Sequence, residues 1–129
     1  MITRGNAIAK IYTLSDVLGN VFYVGCTIGS LEQRLKNHLS DSKGQLRRFM
    51  NQEKNTKIRA LEYKILIKEV DRMEVSGWKG YQMNCQARPL EYKWIIKFHK
   101  AGANLTNRTD LDRIKKRNLF EMEDKLITN

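Results

Sequence analysis

The stretch Ala9–His38, AKIYTLSDVLGNVFYVGCTIGSLEQRLKNH, carries two tyrosines (Tyr12 and Tyr23), an arginine (Arg34) and, four residues later, a histidine (His38). A guanidinium matches the oxygens of a phosphate group, an imidazole exchanges protons near neutral pH, and a phenol both donates and accepts hydrogen bonds. Together these groups suit a phosphate ester better than a carbonyl or a sugar. A fifth candidate lies far along the chain. Glu91, Trp94, Ile95 and Phe98 stand at i, i+3, i+4 and i+7, one face of a helix, which aligns a carboxylate with residues bound for the interior. Such a group neutralises or moves unless something positive holds it. A plainer role is also open: Glu91 falls in the first turn after Pro89, where the helix dipole favours an anion.

Several elements must bring these five groups together. Residues 8–14 and 21–25 are β-rich runs separated by Ser-Asp and Gly-Asn turn signals, which predicts a hairpin. If the tyrosines are to meet, Tyr12 must stand opposite Tyr23, and that register requires a wide loop over about Ser15–Asn20. Ser30 with Gln33 makes a capping box that starts a helix at Leu31. Leu31, Leu35 and Leu39 form its buried stripe, and Arg34 and His38 fall on one edge of it, where a side chain can line a cleft. Asp41–Gly44 breaks that helix. Gln45–Gln52 then predicts a short one whose Arg47 and Arg48 face outward. Residues 58–70 alternate as a strand, with Leu61, Tyr63, Ile65 and Ile67 on one face and Glu62, Lys64 and Lys68 on the other. Residues 71–88, punctuated by Gly77 and Gly80, read as irregular or as a short helix. A helix follows over about Pro89–Lys100 and stops at Gly102, and a polar amphipathic segment, Asp110–Ile127, predicts a last one.

The motifs along this path resemble the GIY-YIG nucleases. Lys10-Ile11-Tyr12, then ten residues, then Tyr23-Val24-Gly25 is similar to the paired signature of that family. Arg34 and His38 fit its first helix, Glu91 ahead of Trp94-Ile95 fits a later motif, and so does the Asn104–Asn107 run. Two positions depart from the pattern: Lys10 replaces a glycine and Val24 an isoleucine. The first loses backbone freedom and puts a cation two residues from Tyr12. The resemblance implies an α/β fold of the α+β type, a small central antiparallel three-stranded sheet flanked by helices. It implies a nuclease domain over residues 1–107, with 108–129 a helical extension packed on it or continuing it. It further implies that Glu91 holds one divalent ion, Mg²⁺ or Mn²⁺, while Arg34 contacts the scissile phosphate. Tyr12 would take a proton from water, helped by cations that favour its phenolate. Tyr23 would position water or phosphate, and His38 would accept the proton from Tyr12 or share the base role. Asn107 would tie the loop after the helix to the cleft. Packing tyrosines, a solvated arginine and a turn asparagine are the ordinary alternatives for these residues.

Composition narrows the partner. Across 129 residues, 24 Lys and Arg stand against 14 Asp and Glu, a formal net charge of +10, which favours a polyanion: nucleic acid first, an acidic membrane second. From Arg34 to Lys68 ten Lys/Arg face three Asp/Glu, and Lys10, Lys36, Arg47 and Arg48 are candidate contacts to a nucleic-acid backbone. The expected partner is DNA, duplex or branched, and monomer and homodimer stay equally open. The polar Met1–Asn6 start and the lack of any apolar run of about 18 residues point to a cytoplasmic protein rather than a secreted or membrane one. Cys26 and Cys85 lack metal-ligand spacing and read as free thiols. Two function classes therefore compete: a metal-dependent DNA endonuclease, and a non-cleaving nucleic-acid-binding module on the same scaffold. An RNA-directed nuclease is a third, weaker reading.

Overall fold

The computed structural model describes residues 5–40, 65–77, 83 and 86–120. Three strands form one sheet: β1 (Gly5–Ser15), β2 (Val21–Thr27) and β3 (Leu66–Gly77), in the order β2-β1-β3 with both pairings antiparallel. Helix α1 (Leu31–Ser40) follows β2, and helices α2 (Arg88–Lys100) and α3 (Arg108–Lys116) follow β3. This is the α+β arrangement expected from the motifs. No helix among the described residues is long and apolar enough to cross a membrane.

The central strand β1 is apolar at successive positions because both of its faces are covered. Ile11 joins Val24, Tyr92, Ile95, Ile96, Leu105 and Ile114 beneath α2 and α3. Tyr12 and Leu14 join Phe22 and Ile65 on the other side, with Leu31 and Leu35 of α1 laid over them. Ile95, Ile96 and Ile114 are fully buried, each worth about 1.5–3 kcal/mol of transfer free energy. Trp94 fastens α2 to β3 by donating its indole N–H to Asp71 Oδ2 at 2.9 Å. Because Ile114 lies in the same core as β1 and α2, the packing of the main domain continues past residue 107.

Two β-bulges shape the sheet. Between β1 and β2 the register slips after Leu14, which leaves Phe22 as the extra residue; between β1 and β3 it slips after Ile11, which leaves Val70. The second bulge explains a misreading of the sequence. Residues 71–77 are strand, not irregular structure, and strict alternation read from residue 58 loses phase at the bulged Val70. The part of that expected strand over 58–64 lies outside the described residues. So do Arg47, Arg48 and their expected helix, the break at Asp41–Gly44, and Cys85.

Both C-terminal helices end in the same hydrogen-bonded motif. After α2, Gly102 (φ 95°) donates to His99 O and Ala103 donates to Phe98 O. After α3, Asn118 (φ 54°) donates to Lys115 O and Leu119 donates to Ile114 O. The helix expected over Asp110–Ile127 therefore starts at Arg108 and stops at Lys116, and the chain turns back so that Leu119 and Phe120 pack on the core. Residues 121–127 of that expected helix lie outside the described residues.

Candidate active site

The hairpin comes first, and its register is not the one required in advance. Tyr12 stands opposite Gly25 and Tyr23 opposite Leu14, so the tyrosines are diagonal neighbours on one face of the sheet. Their rings still meet, with centroids 6.1 Å apart and planes tilted by 39°. Gly25 makes this possible. A Cβ at that position would lie 2.5 Å from Tyr12 Cζ and from its hydroxyl, and 2.7 Å from Tyr23 Cε2. The glycine thus leaves the space that the two phenol rings fill. The loop between the strands is Asp16–Asn20, close to the width expected. Asp16 Oδ1 holds it by accepting from Leu18 N at 2.9 Å and Asn20 N at 3.0 Å.

Helix α1 crosses this face. Ser30 caps it by accepting from Gln33 N at 3.1 Å, and Gln33 Nε2 donates one turn on to Asn37 Oδ1 at 3.0 Å. Arg34 and His38, one turn apart and both half-buried, converge on Tyr12. Arg34 Nε donates to the Tyr12 hydroxyl at 3.0 Å, and the hydroxyl lies 2.7 Å from His38 Nε2. A phenol has one proton and two lone pairs. Tyr23 adds a further side-chain hydrogen bond to this oxygen, so the buried Tyr12 hydroxyl is the shared centre of Arg34, His38 and Tyr23. An imidazole that accepts from Tyr12 at Nε2 carries its proton on Nδ1. Tyr23 packs edge-on against the same imidazole, with centroids 4.8 Å apart.

Burial raises Tyr12 above the ordinary phenol range, and the Arg34 hydrogen bond and charge offset that only in part. Tyr23 is held far above it, by burial first and then by the negative charges that Tyr12 and Glu91 would carry. Both are phenols at neutral pH. With no cation bound, this environment favours the neutral Tyr12 phenol over its phenolate. Lys10 was one cation proposed to support the phenolate, but its ammonium is turned to Gly29 O at 3.3 Å, tying β1 to the turn before α1.

Glu91 approaches from the other layer, in the first turn of α2. Burial, followed by the charge of Asp110, pushes its carboxyl up to about 7, while Arg88 and Arg34 pull the other way. Its charge also acts on both tyrosines and on Cys26, whose thiol burial lifts to about 11. The five groups scattered along the sequence therefore share one electrostatic neighbourhood. Asn107 fixes the chain beyond α2 to the same strand: its Oδ1 accepts from Val24 N at 3.1 Å, and its Nδ2 donates to Val24 O at 2.7 Å and to Asp110 Oδ2 at 3.2 Å. Lys36 lies exposed on α1. Arg88 and Asp110 were missed in the sequence, although each stands three residues from a residue already singled out, Glu91 and Asn107 respectively.

The donor set suits a divalent ion completed by outside oxygens. The Glu91 carboxylate accepts no hydrogen bond among the described residues, and its burial leaves it short of positive charge. No group of three or more His, Cys, Asp and Glu that could cage a metal exists among the described residues. Mg²⁺ is commonly held by one or two carboxylates together with water and substrate phosphate oxygens.

No curated protein and no solved structure gives a significant match. The family model for the GIY-YIG catalytic domain matches residues 9–107, which carries Tyr12, Tyr23, Arg34, His38, Glu91 and Asn107 within its span. With most of its length so matched and the sheet and helices in place, the chain belongs to the GIY-YIG family of nucleases.

Proposed function

We propose that the protein is a divalent-metal-dependent endonuclease that hydrolyses phosphodiester bonds in DNA. One observation carries the mechanism: the Tyr12 hydroxyl accepts from Arg34 and is 2.7 Å from His38 Nε2, a path for a proton from phenol to imidazole. When substrate binding admits a water to the Tyr12 oxygen, that water transfers its proton to it as Tyr12 passes its own to His38 Nε2. The hydroxide attacks phosphorus, and the bond to the leaving oxygen breaks. Tyr12 never stands as a free phenolate, which agrees with burial raising its pKa. Arg34 keeps donors free beyond its Nε for a phosphoryl oxygen, where charge grows in the transition state. Tyr23 holds the imidazole in place through its ring. Glu91 is the residue that would hold Mg²⁺ or Mn²⁺, and such an ion when bound neutralises charge on the phosphoryl and leaving oxygens. The excess of ten positive charges supports a nucleic-acid substrate.

The deciding assay incubates supercoiled plasmid with the protein and Mg²⁺, with and without chelator, beside Glu91→Ala and Arg34→Ala. The expected result is chelator-sensitive nicking that falls by about 100-fold or more in each variant. Nicking that survives both substitutions would remove this assignment of the site. Absence of nicking by wild-type protein on duplex, branched and single-stranded DNA would favour the non-cleaving binding module.

A further inference from the structure

A groove of about 410 Å³ lies at the turn end of the hairpin, where the end of α2 meets the loop that follows it. Its volume falls within the about 300–1,000 Å³ range of small-molecule sites. Phe22, almost fully buried, makes its floor, and the half-buried Phe98 contributes an aromatic wall. Asn20 and Asn104 bring side-chain amides to its rim, and Gly19 and Gly102 complete it. The walls are firmly set. Asp16 holds the backbone and the Nδ2 of Asn20, leaving Asn20 Oδ1 open, and Thr106 N donates to Phe22 O at 2.8 Å. The exposed Asn104 amide has no hydrogen-bond partner among the described residues.

We infer that this groove receives one unpaired nucleobase of the substrate strand. The inference rests on the proposed nuclease function and deepens it. An aromatic face for stacking beside open amides for a base edge is the chemistry by which single-stranded nucleic acid is read, and a side-chain amide suits the N6/N7 edge of adenine. The position agrees. Phe98 is seven residues beyond Glu91 on the same helix, about 10 Å along its axis, and Phe22 directly precedes Tyr23. A strand with its scissile phosphate between Arg34 and Glu91 therefore places a base one or two nucleotides away at the groove. The enzyme would accordingly favour flaps, branches or distorted duplex, in which such a base is already unstacked.

The test uses the ¹⁵N-labelled full-length chain in chelator, titrated with a short single-stranded DNA containing a central adenine, with the same strand abasic at that position, and with dAMP. The adenine strand should shift the Asn104 side-chain signals and the Asn20 and Gly102 amides, and should bind about tenfold more tightly than the abasic strand. Asn104→Ala, at an exposed position, should keep the fold and abolish that discrimination. Phe98→Leu should weaken both. Equal binding of the adenine and abasic strands, or shifts confined to Gly25 and Arg34, would overturn the inference. So would dAMP binding as tightly as the strand, which would mark a free-nucleotide site. The plasmid assay separates the two readings: responsive groove signals without nicking would leave the groove and remove the nuclease, and nicking with a silent groove would do the reverse.

Discussion

Gly25→Ala adds one methyl group, and the structure says where it goes. The new Cβ would sit 2.5 Å from both Cζ and the hydroxyl of Tyr12, and 2.7 Å from Tyr23 Cε2, separations that folded proteins do not tolerate. Tyr12 cannot simply swing aside, because its ring is fully buried and its hydroxyl is bonded to Arg34 and to His38. Relief must come from a shift of β2 or from rotation of the ring, and overpacking of this kind costs about 1–3 kcal/mol. In a chain of this size that is a fall in Tm of roughly 3–15 °C. The loss of activity should be larger than the loss of stability suggests, since a displacement of about 1 Å at a catalytic group costs on the order of 100-fold in rate. The assay is single-turnover plasmid nicking at a temperature where circular dichroism shows the variant fully folded. Gly5→Ala, at the start of β1, is the control: its new Cβ would meet Met83 Cε at 3.7 Å, an ordinary contact, so it should keep both its stability within about 1 kcal/mol and its nicking rate. A Gly25→Ala protein with wild-type Tm and wild-type nicking would refute the packing of both tyrosines over β2.

Other perturbations follow from the same geometry. Tyr12→Phe removes the hydroxyl that Arg34 and His38 share; nicking should fall by about 100-fold or more, and urea denaturation should show a loss of about 1–3 kcal/mol from the unpaired partners. The Glu91 carboxyl, raised from 4.5 to about 7, keeps in the folded state a proton that the unfolded state releases above about 4.5. Stability without divalent ions should therefore fall as pH rises through that window, by roughly 1–3 kcal/mol in total. Glu91→Gln should flatten this slope in Tm measured from pH 4.5 to 8, and an unchanged slope would contradict the burial assigned to Glu91. Asn107→Ala leaves the Val24 N–H and C=O unpaired in the interior, so a loss of about 2–5 kcal/mol is expected in chemical denaturation. Asn118→Gly relieves a left-handed backbone at φ 54°, and a gain of about 0.5–1 kcal/mol should appear as a higher Tm.

What the sequence made legible was local chemistry, and what it hid was register. Ser30, Pro89 and Gly102 each mark a helix boundary through a single residue's bonding or conformation: α1 begins at Leu31, and α2 runs Arg88–Lys100, just short of Gly102. Asn118 ends α3 by the same hydrogen bonds as Gly102 ends α2, but asparagine adopts the left-handed region too rarely to be read as a stop among polar neighbours. The bulges were harder still. Nothing in the residue types of Phe22 or Val70 announces an extra residue, because a bulge answers to the packing on both faces of the sheet. The pairing of Tyr12 with Tyr23 failed for a related reason. Requiring two groups to meet is a demand on side-chain ends, and a ring several ångströms long meets it from a diagonal position as well as from a direct one. The glycine beside Tyr23 held the missing information: it is small because Tyr12 lies across it, so the residue opposite Tyr12 had to be Gly25.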